Sequence, residues 1–556
     1  MLRVSQVVLC VTVYVVASAA NPGSAVDIGT PEVPVPLAQP GDFTSGALGR
    51  PLRILAVMTV DTMSHHLWMA PLTVELAKRG HHVTSLDVAM PKEVPPTLNV
   101  TVIETAFPKM DSKWLRHFQE SGSLEQMAIL HKFDLDECAL DLSAPAFRRI
   151  LDPSFKDTFD LIVLDYVSDC QLGLAHRFGY PGFVVVSPFP GSPWLYDLMG
   201  NPAVPAVVCN TLVPFPHPMS LWQRAATAGL SAYMKLLEWY FRGEVDEVLR
   251  THYGQDVPSA AELRRHVHIA LVNDIPVLDT PQAYVPSVVP VGGMHVRPAN
   301  LSNIPPGLAD WLDEAENGFV LMSFGSVLKG SNLESETIRA FVEAFQELSD
   351  VRILWKMEPE VVGKASLPSN VRIEKWMPQS DILGHPKLRL FVSHCGGLST
   401  HESSSNGVPM LGVPLLVDQF LNVDKVVRNG MARMLPMPEI TKARFVADVK
   451  EMLQNSSYRD AALRTSALLR DRQNSPLETA VWWCEYVARH RGAPHLRSPA
   501  LDVPWPQAML LDVVALATLA VLAVGTAVAL LVRTCLRRLF RQTEIETSAG
   551  TKKKTN

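Results

Sequence analysis

Short apolar runs rich in β-branched residues recur along the chain and leave few choices of fold. They are "LRILAVM" from Leu52, "FDLIVLD" ending at Asp165, "GFVVVSPFP" from Gly182, "NGFVLMSFGS" from Asn317, "VRILWKM" from Val351, "VRIEKW" from Val371 and "LRLFVSH" ending at His394. Each reads as a buried strand. After the first run, Leu72, Leu76 and Ala77 recur at helical spacing, Gly80 stops the helix, and "HHVTSLDV" begins a second strand. Strands alternating with helices build a parallel α/β sheet. Around "VVPVGGMHVRPANLSNIPPG" glycine and proline dissolve the pattern, which marks a linker. A chain of 556 residues is also too long for one core. The expectation is two α/β domains, each with its own sheet, facing each other across a cleft. Their ranges are 51–290 and 311–505, joined by a linker at 291–310.

Two segments stand outside these domains. Residues 1–20 combine Arg3, an apolar stretch around Val7–Val16 and small residues at Ala17–Ala20, the pattern of a secretory signal peptide. A Pro-rich extension, 21–50, follows it. Near the other end, 506–532 forms a transmembrane segment, its apolar core running from Met509 to Val532. Arg533, Arg537, Arg538 and Arg541 come next, so the tail, 533–556, is expected in the cytosol and the body in the lumen. The final Lys553-Lys554-Thr555-Asn556 resembles a dilysine signal for the endoplasmic reticulum, and the chain reads as a single-pass type I protein of that membrane. With a net charge of −6 and no basic block outside the tail, no nucleic-acid partner is expected. Cys138, Cys170, Cys209, Cys395 and Cys484 fall in the luminal part without metal-ligand spacing, leaving room for one or two disulfides. Asn99, Asn300 and Asn455 head glycosylation sequons.

Chemistry concentrates in "FVSHCGGLSTHESSSNGVPMLGVPLLVDQ", Phe391 to Gln419. The order is strand, glycine turn, helix start, strand, polar pair, which suits a ligand at the carboxyl ends of parallel strands. A strand–glycine–helix junction offers unpaired N–H groups and a helix dipole, so a diphosphate is its natural guest. His394 is placed to hydrogen-bond a phosphate oxygen, and Gly396 and Gly397 let the backbone approach. Ser399-Thr400 with Glu402 begin the helix, and Glu402 can accept from a ribose hydroxyl. Asp418 and Gln419 pair an acceptor with a donor for neighbouring sugar hydroxyls. Upstream, Trp376 and Gln379 supply a flat face and an amide suited to uracil.

Together these residues resemble the signature of the UDP-glycosyltransferases, the family that includes the UDP-glucuronosyltransferases. The matching pieces are Trp376-Met-Pro-Gln379, Asp381-Ile-Leu-Gly-His-Pro386, His394, Glu402, Gly407-Val-Pro409, Asp418-Gln419 and Asn422. Similarity runs from about residue 52 to the membrane segment and takes in "SFGS", Ser323 to Ser326, and "GAPHLR", Gly492 to Arg497. The resemblance implies the GT-B fold, two Rossmann-like domains with the donor held by the C-terminal half. It also implies a catalytic histidine, His65, sixteen residues before His81 of the Arg-Gly-His turn, with Asp165 as its partner. Read from residues alone, His65-His66 is only a solvated helix start. The implied reaction is a direct, inverting displacement. His65 deprotonates an acceptor hydroxyl, the oxygen attacks the anomeric carbon of UDP-glucose or UDP-glucuronate, and UDP leaves without a metal. His394, Ser326 and backbone N–H groups would meet the charge of the leaving diphosphate. No cofactor beyond the UDP-sugar co-substrate is implied.

The sequence also departs from the family pattern. Cys395 and Gly397 alter the glycine turn, and Leu398 and Ser399-Thr400 resemble invertebrate members, which tilts the donor toward UDP-glucose. "PHPMSLWQR", Pro216 to Arg224, lacks the Asp-Arg that usually precedes Met-Ser. Asp134 and Asp136 lie in a polar context and read as helix surface rather than a metal site. A non-catalytic UDP-sugar-binding membrane protein is the alternative function. The acceptor implied is a small lipophilic alcohol or phenol, with Trp68, Phe118 and Trp194 as candidate walls of its pocket. Self-association into a homo-oligomer is left open.

Overall fold

The computed structural model describes residues 50–552 except 61, 104–113, 115–116, 119, 192, 209–212, 214, 216–217, 326–332, 363–366 and 416–417. The signal peptide, most of the Pro-rich extension, Ser326, Cys209 and the terminal Lys553–Asn556 therefore lie outside the described residues. The chain divides into a body ending at Ser498 and a C-terminal unit from Pro499.

The body holds two parallel sheets. The first contains β1 (Arg53–Val57), β2 (His82–Asp87), β3 (Leu98–Val102), β4 (Leu161–Asp165), β5 (Gly182–Ser187), β6 (Ile269–Val272) and β7 (Val288–Pro290), in the order β3-β2-β1-β4-β5-β6-β7. The second contains β8 (Phe319–Ser323), β9 (Arg352–Lys356), β10 (Val371–Glu374), β11 (Leu388–Ser393), β12 (Met410–Gly412) and β13 (Ala432–Met434), in the order β10-β9-β8-β11-β12-β13. The continuous apolar runs follow from coverage of both faces. Along β1, Ile54 and Ala56 enter one core cluster while Leu55 and Val57 enter the cluster on the opposite face. Along β8, Val320 and Met322 separate in the same way from Phe319 and Leu321. Each fully buried Leu, Ile or Phe in these layers contributes about 1.5–3 kcal/mol.

The helices that matter for function are α1 (Met63–Lys78), α2 (Ser123–Leu142), α3 (Leu221–Tyr253), α4 (Gln379–Leu383), α5 (Gly397–Ser405), α6 (Gln419–Arg428) and α7 (Pro476–Arg489). α1 ends where Gly80 takes a positive φ of 92° and its N–H bonds back to the Ala77 carbonyl. In the C-terminal unit, α8 (Leu511–Lys552) is long and apolar enough to cross a membrane, with a mean hydropathy of 2.5 over its apolar part.

Three differences from the sequence expectations have physical reasons. "VVP", read as the opening of the Gly- and Pro-rich stretch and not as a strand, is strand β7, too short for its periodicity to show beside the glycines. α7, assigned to the C-terminal domain, returns to the first sheet: Ala480, Val481, Cys484 and Val487 pack with Leu161, Val163 and Val184. A helix pattern shows that a face is buried, not what buries it. Last, α8 continues past 532 as one helix, because the arginines change its polarity and not its helical propensity. Among the described cysteines of the body, Cys138 and Cys170 form a disulfide, while Cys395 and Cys484 are buried and free.

Candidate active site

The strand order of the first sheet sets up a pair of histidine–carboxylate contacts. β1 lies between β2 and β4, so Asp87 and Asp165 sit at the carboxyl ends of the two strands flanking it. α1 follows β1, and its neighbouring residues point about 100° apart. His65 falls to one side, its Nδ1 2.6 Å from Asp165 Oδ2, and His66 to the other, its Nδ1 2.8 Å from Asp87 Oδ1. All four side chains are buried. A carboxylate only accepts, so the hydrogen bond places a proton on His65 Nδ1 and leaves Nε2 turned away from Asp165. The Phe189 ring meets His65 edge-on with centroids 5.5 Å apart and limits its rotation.

In the second sheet the turn after β11 takes its shape from Cys395, which adopts a left-handed φ of 59°. A non-glycine residue there costs about 1–2 kcal/mol. The conformation is held because Cys395 N–H donates to Ser393 Oγ (3.1 Å) and its carbonyl accepts from Asn422 Nδ2 (3.1 Å). Gly396 then caps α5, and its role is steric: a Cβ would lie 2.6 Å from His394 Nε2. A Cβ on Gly325, which has a positive φ of 78°, would lie 2.7 Å from the same atom. The His394 imidazole is thus sandwiched between two glycines. Burial, with the nearby Lys356 ammonium, pushes its pKa down to about 4. The ring is therefore neutral and keeps one N–H to donate. A Cβ on Gly397 would touch only Asp418 Oδ2 and Asn422 Nδ2, each at 3.8 Å.

Around this turn the other predicted residues gather. Gln379, which opens α4, donates from Nε2 to Ser399 Oγ (3.0 Å) and to Glu402 Oε2 (2.8 Å). Ser380 Oγ donates to the second Glu402 oxygen. Trp376 is 63% exposed, and Lys92 of the first domain stands over its ring at 5.4 Å. Asp418 and Gln419 begin α6, where Asp418 Oδ2 accepts from Asn422 Nδ2 at 2.7 Å and Gln419 Oε1 accepts from Leu415 N–H at 2.8 Å. Burial raises the pKa of the Asp418 carboxyl, against the pull of Asn422, Lys425 and His65.

Some expectations fail here. Trp68 is 1% exposed and belongs to the core under the first sheet, so it cannot wall an acceptor pocket. The aromatic ring simply points inward from α1. Phe118 is likewise buried, and Trp194 packs against the core from the edge. Asp136 is exposed on α2 while Asp134 is half-buried there. The histidine pair is not a solvated cap, since both rings are buried on carboxylates. Sequence reading also missed Lys356, which ends β9 beside His394 and donates from Nζ to the Gly325 carbonyl at 2.9 Å. Its signal was a charged residue closing an apolar strand, the same position Asp165 holds on β4.

A family model described as "UDP-glucoronosyl and UDP-glucosyl transferase" matches residues 54–547. The chain belongs to this family. UDP-glycosyltransferase UGT5 of Dactylopius coccus is 33% identical, the match covering 83% of this chain and 88% of that protein. UDP-glucuronosyltransferase 2B1 of Rattus norvegicus is 27% identical, with 87% and 92% covered. Among solved structures, the calicheamicin glycosyltransferase CalG4 superposes with a TM-score of 0.52 at 19% identity, covering 79% of this chain and 98% of that one. The glycotransferase of kitacinnamycin gives 0.54 at 20% identity, covering 79% and 99%. The two-sheet body of this UDP-glycosyltransferase is the GT-B architecture of those structures.

Proposed function

We propose that this transferase moves a glucosyl or glucuronosyl unit from its UDP-sugar to a hydroxyl of a small lipophilic acceptor, with inversion and without a metal. The observation that carries the reading is the buried His65–Asp165 pair, in which Nδ1 is held by the carboxylate while Nε2 has no hydrogen-bond partner among the described residues. Nε2 of His65 takes the acceptor proton as the oxygen bonds to the anomeric carbon. The bond from that carbon to the β-phosphate oxygen breaks, and UDP departs with the electron pair. Asp165 holds the imidazole and stabilises its cationic form. Neutral His394, the N–H groups opening α5, Ser326 and the Lys356 ammonium would meet the charge developing on UDP. Trp376 and Gln379 would face uracil, Glu402 the ribose, and Asp418-Gln419 the sugar hydroxyls, with Gly396, Gly397 and Ser399 shaping the diphosphate turn.

Leu398 and Ser399-Thr400 favour glucose as the sugar. We further place the body in the lumen of the endoplasmic reticulum, held by α8, on the strength of the signal-like leader and the dilysine-like tail. Asn99, Asn300 and Asn455 are exposed, as glycosylation would require.

The test is the full-length protein in membranes with a panel of phenols, supplied with UDP-glucose or UDP-glucuronate, reading UDP release and the glycoside formed. Transfer that is abolished in His65→Ala while UDP still binds supports the reading. Undiminished transfer by His65→Ala overturns the assignment of the base, and binding without transfer by the unmodified chain overturns the enzyme.

A further inference from the structure

Beneath the cleft, a chain of buried polar side chains links the lobes, and the proposed chemistry does not use it. It starts at Asp418, whose carboxylate accepts from Asn422 Nδ2 at 2.7 Å. One turn along α6, Lys425 Nζ donates to Asn422 Oδ1 at 3.4 Å. The same ammonium forms an ion pair with Asp279, which belongs to the segment after β6 in the first domain. The Lys425 and Asp279 side chains are only 7% and 5% exposed. Asp279 Oδ2 also accepts from the Ile275 N–H at 2.7 Å. Beside it, Asp274 accepts from Tyr284 Oη at 2.5 Å, and Gln282 Nε2 donates to both Tyr284 Oη (2.9 Å) and Tyr196 Oη (2.6 Å).

A lysine is almost never buried unless paired, and a buried pair on two separate lobes has a fixed geometry only when they are docked. Here the pair also reaches a functional group. Asn422 is held on both sides: its amide nitrogen donates to Asp418 and to the Cys395 carbonyl, and its oxygen accepts from Lys425 Nζ. That arrangement fixes which way the amide faces, so Asp418 receives an N–H and not a repelling carbonyl. Removing the ammonium takes away the partner of the amide oxygen and loosens one side of that grip.

We propose that Lys425 is a positioning residue for sugar transfer: anchored on Asp279 of the acceptor-side domain, it orients Asn422 and thereby holds the Asp418 carboxylate toward the hexose. This rests on the assignment of Asp418 to the sugar hydroxyls. The charged and titratable groups around the chain are His65 from α1, the Cys395 thiol from the glycine turn, His401 from α5, and Asp274 and Asp279 from the first domain. Burial, with the Asp279 carboxylate nearby, raises Asp274 to about 8. Loss of the Lys425 charge would raise Asp418 further, so its ionised form, the one that accepts from sugar hydroxyls, would be confined to higher pH.

The experiment compares Lys425→Met, Lys425→Arg and Asp279→Asn with the unmodified enzyme in three readouts: UDP affinity by calorimetry, donor KM against kcat, and the pH profile of kcat/KM. UDP alone does not reach Asp418, so its affinity is expected to stay within about twofold. The donor KM is expected to rise about tenfold or more in Lys425→Met and Asp279→Asn, with the acidic limb of the profile moved to higher pH. Lys425→Arg, which keeps the charge, is expected to recover most of the loss. If Lys425→Met does not fold, the isosteric Asp279→Asn reads the same quantity. Donor KM and profile unchanged overturn the proposal, as does an equal loss of UDP and UDP-sugar affinity with no change in profile, which describes a merely structural pair. If the unmodified enzyme shows no transfer in the same assay, the function itself is refuted and not this residue.

Discussion

Replacing Asp165 by asparagine isolates the group that, in the proposed reaction, would make His65 a base. The two side chains are isosteric, and Asp165 is 2% exposed with Oδ1 lacking a partner among the described residues, so the substitution fits without moving β4. What changes is the hydrogen bond to His65 Nδ1, now 2.6 Å long and charge-assisted once the imidazole is protonated. Such a bond is worth about 1.5–3 kcal/mol. At 1.36 kcal/mol per decade, its loss lowers the rate about 10- to 150-fold. An asparagine that turns its NH2 toward Nδ1 moves the imidazole proton to Nε2, which forfeits general-base catalysis worth about 10²–10⁴-fold. The expected result is therefore a kcat lowered by about 10²–10⁴-fold, with UDP affinity and donor KM within about twofold, because nothing in the donor lobe changes. Initial rates of UDP release at saturating donor and acceptor give kcat, and calorimetry gives UDP affinity. A variant that keeps a third or more of its kcat, with the fold intact by circular dichroism, refutes the role assigned to the pair.

Two further outcomes follow from the donor lobe. Gly396→Ala drives a methyl group to 2.6 Å from His394 Nε2, so the ring must leave its slot and UDP affinity should fall at least about tenfold, whereas Gly397→Ala meets nothing closer than 3.8 Å and should keep the fold and His394 in place. Equal tolerance of both alanines in calorimetry and thermal melts would show that His394 does not depend on the glycine slot. The second concerns acid. Burial lowers His401 to about 3 and His394 to about 4. The unfolded chain then binds more protons than the folded one below the ordinary histidine pKa, so stability is complete above about pH 6.5 and declines as pH falls toward 4. Each group contributes on the order of 1–3 kcal/mol to that decline. The melting temperature should drop over this window, and His401→Gln should drop less steeply; identical slopes would refute the assignment.

Most strands could be read from sequence because a strand covered on both faces leaves an unbroken apolar run, as in β4 and β11. β7 could not, since three residues beside a glycine pair carry no period. Motif residues that act through neighbours in the chain were legible: His394, Gly396 and Glu402 are bound to one turn and one helix. The groups that escaped depend on contacts far apart in sequence. Lys425 meets Asp279, His66 meets Asp87, and Lys92 meets Trp376, and no local pattern announces any of these. His65 itself was legible only through resemblance, because an adjacent histidine pair at a helix start has several fates and burial selects among them. Trp68 shows the reverse error, an aromatic near the site that belongs to the core.

The return of α7 to the first sheet has a consequence for how this enzyme can be cut and how it can move. The polypeptide crosses between lobes twice, once before β8 and once before α7, so the lobes are joined by a pair of pins and not by a single tether. A fragment ending before Pro476 would strip the cover from Leu161, Val163 and Val184 and leave an apolar floor open to water. The amino-terminal lobe is thus completed by the last helix of the body, and neither lobe can be had whole by a single cut.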